Sequence, residues 1–414
     1  MKPKNILLSV LLLCFGLGIS RSSAAAAKPV MVYYMPWFAA KPYHSEWGWH
    51  WTMGHFNPDI IVASGERQIA SWYYPLIGPY DSLDPAVLEY HVLLMKLAGI
   101  DGVIVDWYGS ANCLDYGENN EATLKLFEFT RKAHLKFALC YEDQTIQHLI
   151  DTNYISAKDA IPQAQKEMLY LQDHFFPDGS YLRFENRPVL LNFGPQFFIT
   201  NGDWENIFSA LNPSNRPAFF TEDNRVAAGV GAFSWPPMWM SQAPGTGGIL
   251  SDAALRTYLA DFEQKAAGWP MFISSAFPRF HDIYQRAGVR NYLGYLGDRH
   301  SDTLRETLAR AMTNSSTLVQ VVTWNDFGEG SMVEPTEEYG YRDLGIIQDL
   351  RRQFLQPEFS LHTNDLALAM QFYDMRRNVP DKSGASRKLD EVFNDIITDK
   401  LEQARNELNS MKDK

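Results

Sequence analysis

Eight short apolar runs recur along the chain, and amphipathic helical patterns separate most of them. The runs are continuously apolar, which is typical of parallel strands that are covered on both faces. They occupy residues 30–37, 102–109, 136–143, 188–194, 217–223, 229–235, 270–277 and 317–325. Eight such strands with intervening helices over about 300 residues predict a (β/α)8 TIM barrel, with a doubly wound open sheet as the alternative.

Helical periodicity fills most gaps between the runs. The first helix starts at Asp84, whose side chain can cap it, and Pro85 stands in its first turn. The gap between the fifth and sixth runs is short enough to lack a helix. The predicted helices cover residues 84–99, 121–134, 156–175, 252–268 and 301–314.

The two ends of the chain differ from the barrel. Residues 1–27 combine Lys2 and Lys4, an apolar run and a small-residue stretch, which together predict a cleavable signal peptide. That run is too short for a permanent span. A lipid anchor at Cys14 is disfavoured because Leu13 stands where a small residue is needed. We therefore expect a secreted or periplasmic protein with no membrane span after cleavage.

The predicted barrel covers residues 28–356, and a helical extension covers residues 357–414. Within the extension we expect a helix at 363–378, a polar break at 378–386 and one charged amphipathic helix at 388–414. These boundaries predict one catalytic domain followed by a helical extension. We expect the protein to be a monomer.

Charge and motifs exclude several classes of function. The net charge of −12 and the lack of a basic run argue against nucleic acid and anionic membranes as partners. The chain contains no phosphate-binding loop and no GxSxG esterase motif. Cys113 and Cys140 have no zinc-site spacing, so we expect two packed or unpaired thiols. No organic cofactor is expected, and no residue is assigned as a metal ligand.

Acidic side chains collect at the ends of four of the eight runs, where a barrel places its active site. They are Asp106, Glu142, Asp143, Glu222, Asp223 and Asp326, with Glu329 one turn beyond the last. Aromatic residues accompany them: Tyr34, Trp37, Trp107, Tyr141, Trp235 and Trp324. Polar residues mark strand ends in many proteins, but core packing gives no reason for the whole set. We therefore predict a functional cleft.

Carboxyl groups beside Trp and Tyr suit a carbohydrate, because sugar rings stack on aromatic faces and their hydroxyls need polar acceptors. Glycoside hydrolysis uses two carboxyl groups around one bond. Asp326 and Glu329, in the segment TWNDFGEG, supply such a pair. In the same segment Trp324 and Asn325 are placed to orient or bind the substrate.

TWNDFGEG and the following VEPTEEYGY resemble the signature of glycoside hydrolase families 71 and 99 and their relatives. VYYMPW in the first run and AGIDGVIVDWYG at the second strengthen the resemblance, which spans residues 30 to about 345. Family 99 enzymes are endo-acting α-mannosidases with a motif like Asn-Glu-Trp-His-Glu-Gly. Family 71 enzymes are α-1,3-glucanases with a motif like Trp-Asn-Asp-Tyr-Gly-Glu-Ser.

The resemblance implies a role for each acid. In family 99 the first acid assists the substrate 2-hydroxyl and the second protonates the leaving group. By position, Asp326 is then the base and Glu329 the general acid of an enzyme that cleaves an α-linked mannan or glucan. EPTEEYGYRDL also resembles domains found beside polysaccharide-synthesis glycosyltransferases. A non-catalytic glycan-binding barrel and such a transferase-related domain are the alternatives.

Further candidates lie around the predicted cleft. The loop at 38–59 holds His44, Glu46, Trp47, Trp49, His50, Trp51 and His55, and a sugar platform, packing within the loop and a metal site all stay open. Arg279 and His281 follow the seventh run and either hold sugar hydroxyls or form a structural ion pair. Glu334 is placed at the cleft because it lies in the shared motif.

Overall fold

The computed structural model describes residues 28–243, 248–379 and 384–412. The predicted signal peptide, residues 1–27, lies outside these ranges. Within them, no helix is both long enough and apolar enough to cross a bilayer.

Eight parallel strands form the centre of the structure. They are β1 (Val30–Tyr34), β2 (Gly102–Trp107), β3 (Lys136–Tyr141), β4 (Arg187–Asn192), β5 (Ala218–Glu222), β6 (Gly231–Phe233), β7 (Ile273–Ala276) and β8 (Leu318–Val321). Each strand pairs with the next in chain order, and β8 pairs with β1 through Val319 and Val30. The sheet therefore closes on itself, which confirms the TIM barrel and excludes the open sheet.

Helices surround the barrel. They are α1 (Trp49–Thr52), α2 (Pro85–Ala98), α3 (Tyr116–Lys132), α4 (Thr145–Asp151), α5 (Ala160–His174), α6 (Asn201–Phe208), α7 (Asp252–Ala266), α8 (Tyr284–Ala287), α9 (Asp302–Thr313) and α10 (Arg342–Phe354). The Asp84 side chain accepts from the backbone N–H of Ala86 and caps α2, as predicted. No helix occurs between β5 and β6, whereas α1, α4, α6, α8 and α10 were not predicted.

Three further helices follow the barrel: α11 (Thr363–Asn378), α12 (Gly384–Ile397) and α13 (Leu401–Lys412). The prediction of one helix over 388–414 was wrong, because Asp399 adopts a left-handed conformation with φ 61° and ends the helical path between α12 and α13. Both α11 and α12 pack on α2. Arg376 of α11 pairs with Glu89 of α2 at 2.8 Å, so the extension is attached to the barrel wall.

Candidate active site

A cavity of about 340 Å³ opens at the carboxyl ends of the strands. Six predicted site residues line it: Trp37, Asp106, Glu142, Trp235, Asp326 and Glu329. Four of these six are carboxylic acids that come from three different parts of the sequence. The structure therefore brings together four of the acids that were predicted to meet at the carboxyl ends of the barrel strands.

TWNDFGEG forms a closed loop rather than the end of a strand. β8 stops at Val321, and the loop closes where the Thr323 N–H donates to the Ser331 carbonyl at 3.0 Å. The Asp326 N–H donates to the Thr323 hydroxyl at 2.8 Å. The prediction that Asp326 ends strand eight was wrong by five residues, and the loop is what carries its carboxyl group into the cavity.

Asp326 is only 4% exposed, and burial raises its pKa to about 7. Its Oδ1 accepts from the backbone N–H of Glu329 at 2.9 Å. Backbone N–H groups of Glu329 and Gly328 favour the charged carboxylate and so oppose part of the rise in pKa. The Asp326 carboxyl group therefore has fixed donors that favour its anionic form.

Among the residues that the structure describes, no backbone N–H donates to the Glu329 carboxyl group. Burial, followed by the negative charge of Asp326, raises the pKa of Glu329 well above its ordinary value. The Tyr284 hydroxyl donates to Glu329 Oε1 at 3.4 Å. Of the two coupled acids, Asp326 therefore loses its proton more readily than Glu329.

Gly330 allows the loop to lie against the segment that follows β7. Its φ is 63°, and a Cβ at this position would lie 2.6 Å from the His281 carbonyl oxygen, so only glycine fits. The His281 N–H donates to the Glu329 carbonyl at 2.8 Å, and the Ile283 N–H donates to the Gly328 carbonyl at 3.0 Å. These bonds bring Tyr284 to the Glu329 carboxyl group.

Asp106 and Glu142 form a second carboxyl pair in the cavity. The Tyr33 hydroxyl donates to Asp106 Oδ1 at 3.1 Å, and the Gln144 amide donates to Glu142. Burial raises the pKa of Glu142 to about 7. Burial and then the neighbouring charge of Glu142 raise the pKa of Asp106 well above its ordinary value. Near neutral pH the pair therefore holds at least one proton.

Trp37 and Trp235 are two of the aromatic residues that line the cavity. Trp37 stacks on His50 with centroids 4.1 Å apart and planes 8° apart. Trp235 meets Tyr33 edge to face at 5.0 Å. Aromatic walls beside carboxyl groups suit the apolar faces and hydroxyl edges of sugar rings.

Four predicted aromatic contacts do not line the cavity: Tyr34, Trp107, Tyr141 and Trp324. Successive strand residues point to opposite faces, so Tyr33 and Asp106 point inward while Tyr34 and Trp107 point toward the helices. Trp107 Nε1 donates to Asn120 Oδ1 of α3 at 3.0 Å. These four residues are placed in the packing between strands and helices.

Three predicted acids also lie outside the cavity lining: Asp143, Glu222 and Asp223. Asp143 accepts from the backbone N–H groups of Phe197 and Phe198, each at 2.8 Å, and so fixes the loop after β4. Asp223 accepts from the Tyr258 hydroxyl at 2.7 Å. Glu222 is half-buried behind Glu142, and burial raises its pKa to about 8.

Arg279 and His281 pack beside the cavity rather than in its lining. Arg279 is buried, pairs with Asp343, and lies with its guanidinium carbon 3.9 Å from the Tyr339 ring centroid. His281 stacks on Trp72 at 4.8 Å. For Arg279, the structure agrees with the ion-pair alternative.

Asn325 and Glu334 lie behind the cavity in a buried polar network. Asn325 exchanges two hydrogen bonds with the backbone of Met35, at 2.8 and 3.0 Å. Glu334 accepts from the Tyr80 hydroxyl at 2.7 Å and lies 3.1 Å from His91 Nε2. Neither residue lines the cavity, and the Tyr80 hydroxyl connects the two through hydrogen bonds.

Replacing Glu334 with alanine is expected to lower the free energy of unfolding by about 3–5 kcal/mol, because it leaves Nε2 of the fully buried His91 and the Tyr80 hydroxyl without their carboxylate partner. Urea denaturation measures this change. Glu337→Ala is the matched control: Glu337 is exposed three residues further on, so its change should stay within about 0.5 kcal/mol. Equal effects of the two substitutions would contradict the structural role of the network.

The three tryptophans of the loop at 38–59 have different environments. Trp51 is buried and donates to the Tyr80 carbonyl at 2.7 Å. Trp47 donates to Asp59 at 2.9 Å, and the Arg67 guanidinium covers its ring. Only Trp49 of these three is both exposed and part of the cavity lining. The sugar-platform interpretation is thus narrowed to Trp49.

Cys113 and Cys140 carry free thiols, as expected. Across the described ranges, no group of three or more His, Cys, Asp or Glu side chains is arranged to hold a metal ion. The metal interpretation of the loop at 38–59 therefore has no geometric support among these residues.

Several lining residues were not predicted from sequence: Tyr33, Met35, Met53, Tyr108, Gln144, His148, Phe193, Tyr284, Val289, Arg290 and Gly328. Tyr33 and Met35 could have been predicted from the sequence. They occupy alternate positions with Trp37 along the run at 30–37, and alternate residues of an extended run point to the same face. Tyr284 and Arg290 come from the segment after β7, where no periodic pattern marks the side chains that reach the cavity.

Sequence comparison relates the first half of the chain to a known family. A model of glycosyl hydrolase family 99 matches residues 27–216. A zebrafish (Danio rerio) glycoprotein endo-alpha-1,2-mannosidase-like protein is 25% identical over 167 residues, which cover 38% of this chain and 35% of the relative. The human relative of the same name is 22% identical over 325 residues, covering 73% of this chain and 67% of the relative. The chain thus spans about a third of the first relative and two thirds of the second.

Structural comparison extends the similarity over the barrel. The GH99 endo-alpha-mannosidase from Bacteroides thetaiotaomicron superposes with a TM-score of 0.57 at 16% sequence identity. The match covers 79% of this chain and 99% of that one. At this identity the superposition supports a common fold.

Proposed function

We propose that this chain, which belongs to the superfamily of glycoside hydrolase families 71 and 99, is a glycosidase that cleaves internal bonds of an α-mannose-containing glycan. The observation that carries the proposal is the unequal pair formed by Asp326 and Glu329. Glycoside hydrolysis needs two acids in one cavity, of which one ionises more readily and the other retains its proton.

In the proposed reaction Glu329 donates its proton to the glycosidic oxygen as the bond from that oxygen to the anomeric carbon breaks. Asp326 accepts a proton either from an attacking water or from the neighbouring hydroxyl of the sugar. In the second route that hydroxyl oxygen attacks the anomeric carbon, so no covalent bond to the enzyme forms. Water then attacks the anomeric carbon and opens the three-membered ring that the hydroxyl oxygen has formed with it.

The preference for mannose over glucose rests on the relatives. The proteins that match this sequence are named as α-1,2-mannosidases or mannosidase-like proteins. The motif at Asp326–Glu329 also resembles that of the α-1,3-glucanases, so an α-glucan is the second substrate to test. Export, proposed from residues 1–27, would bring the enzyme to extracellular or periplasmic glycans.

The test is the release of new reducing ends from a panel of α-mannans and α-glucans. We expect release from at least one α-mannan, with products longer than a monosaccharide if cleavage is internal. Heat-denatured protein is the control for spontaneous hydrolysis. Saturable binding of these polymers without any new reducing end would support the non-catalytic glycan-binding alternative instead.

A further inference from the structure

Arg290 places a positive charge in the active-site cavity. Among the described residues that line this cavity it is the only lysine or arginine, whereas four carboxylic acids line it. Its side chain is exposed, and its guanidinium carbon lies 5.3 Å from the Tyr284 ring centroid. Within the described ranges the guanidinium forms no hydrogen bond and no ion pair. Its N–H donors are therefore available to a ligand that enters the cavity.

The segment that carries Arg290 is held at both ends by the buried Asp282. Asp282 Oδ1 accepts from the Tyr284 N–H at 3.1 Å, and its Oδ2 accepts from the Leu293 N–H at 2.9 Å. Between these two bonds Gly288 ends α8 in a left-handed conformation with φ 70°. The position of Arg290 at the cavity is thus set by backbone hydrogen bonds and not by a carboxylate that neutralises it.

Arg290 lies on the side of the cavity that the leaving group would occupy. The Tyr284 ring beneath its guanidinium carries the hydroxyl that donates to Glu329 Oε1 at 3.4 Å. In the proposed reaction Glu329 protonates the glycosidic oxygen, so groups around its carboxyl group face the sugar that departs with that oxygen. A substituent on this sugar is therefore the part of a glycan that Arg290 can contact.

The charge of Arg290 opposes the proposed role of Glu329 as long as nothing neutralises it. Arg290 favours the ionised form of Glu329 and so lowers its pKa, against the larger effects of burial and of Asp326. A general acid needs the opposite influence. An anion bound to Arg290 would cancel the positive charge and help Glu329 to retain its proton, whereas a neutral glycan offers no such partner.

The guanidinium group also limits the kind of ligand. Its planar set of donors matches the paired oxygens of a carboxylate or a phosphate. The net charge of −12 disfavours the approach of an anionic polymer, but this repulsion is screened beyond about 8–10 Å, so a direct contact decides recognition. Within the cavity, the Asp106–Glu142 pair holds at least one proton near neutral pH, which reduces the competing negative charge.

We propose that Arg290 binds an anionic substituent, a carboxylate or a phosphate, on the sugar at the leaving-group side of the cleaved bond. The substrate is then an acidic α-linked glycan. The proposal rests on the glycosidase function proposed above and adds the chemical class of its substrate. Arg290 acts in recognition, and bond cleavage is left to the carboxyl groups of the cavity.

The test compares three α-linked mannotriosides that differ only at C6 of the reducing-end sugar, which bears a hydroxyl, a carboxylate or a phosphate. Their binding is measured by calorimetry on protein carrying Glu329→Gln, which prevents turnover. We expect at least one anionic trisaccharide to bind about tenfold more tightly than the neutral one, with a preference that falls as salt is added. The tighter of the two anionic ligands identifies the substituent. Adding Arg290→Gln should abolish the preference.

Arg286→Gln is the matched control, because Arg286 is an exposed arginine four residues earlier that lies over Trp72 at 5.0 Å and does not line the cavity. It should leave the preference intact. The proposal is overturned if neither anionic trisaccharide binds more tightly than the neutral one, or if the preference survives Arg290→Gln. An equal loss in both variants would also overturn it, since only the general charge of the segment would then matter. None of these results depends on turnover, whereas the glycosidase function fails if wild type releases no reducing ends.

Discussion

Replacing Glu329 with glutamine is expected to lower kcat/KM on the cleaved α-mannan by about 10³-fold, which is within the range that a general acid contributes. Glutamine keeps the shape of the side chain and can still accept from the Tyr284 hydroxyl, but it has no proton to give to the glycosidic oxygen. Reducing-end release by wild type and variant measures the loss, and unchanged thermal unfolding shows that the fold is retained.

The leaving group provides the sharper test of this role. An aryl α-mannoside whose phenol departs without protonation does not need the acid, so Glu329→Gln should recover much of its activity on that substrate. Glu337→Gln serves as control, because Glu337 is an exposed glutamate in the segment that follows the motif. Full activity of Glu329→Gln on the polymer would remove Glu329 from the mechanism.

The barrel was predictable because its strands are buried on both faces. In β1, β2 and β8 every residue is buried, and this produces the continuous apolar runs that were counted in the sequence. The helix α10, which follows the last barrel strand, was not predicted. Its buried face includes Asp343 and Arg351, which pair with Arg279 and Asp101. Because these buried positions are charged, the apolar periodicity that marks an amphipathic helix is interrupted in the sequence.

The acids of the cavity were found by combining the fold with one general rule about strand ends, and that rule does not give side-chain direction. Asp106 and Trp107 are adjacent in sequence, yet only Asp106 faces the cavity. Counting alternate residues along β1 and β2 would have replaced Tyr34 by Tyr33 and removed Trp107. The direction of these side chains could therefore have been read from the positions of the residues within the apolar runs.

Counting alternate residues does not predict the direction of side chains in the loops. Tyr284 reaches Glu329 because two residues after β7, His281 and Ile283, bond to the motif, and His281 fits there because Gly330 has no Cβ. Glu334 was assigned to the cleft from the motif alone, but its carboxyl group turns to Tyr80 and His91. Contacts between segments far apart in the chain decided these positions, and a single sequence does not record them.

Asp326 differs from Glu329 in the state that the reaction needs. Burial raises the pKa of Asp326 to about 7, and the base must be ionised to accept a proton. The value of kcat/KM should therefore rise as pH increases through about 7. It should fall again at higher pH, because the pKa of Glu329 lies well above its ordinary value and the acid must stay protonated.

Replacing Asp326 with asparagine is expected to lower kcat/KM by about 10³-fold and to abolish the rise through pH 7, since asparagine does not titrate. An aryl α-mannoside with a good leaving group should not restore activity, because proton acceptance is still required; this separates Asp326→Asn from Glu329→Gln. The measurement is kcat/KM against pH for wild type and variant on both substrates. If the rise persists in Asp326→Asn, another carboxyl group is the base, and Glu142 is the one whose pKa of about 7 and place in the cavity fit that role.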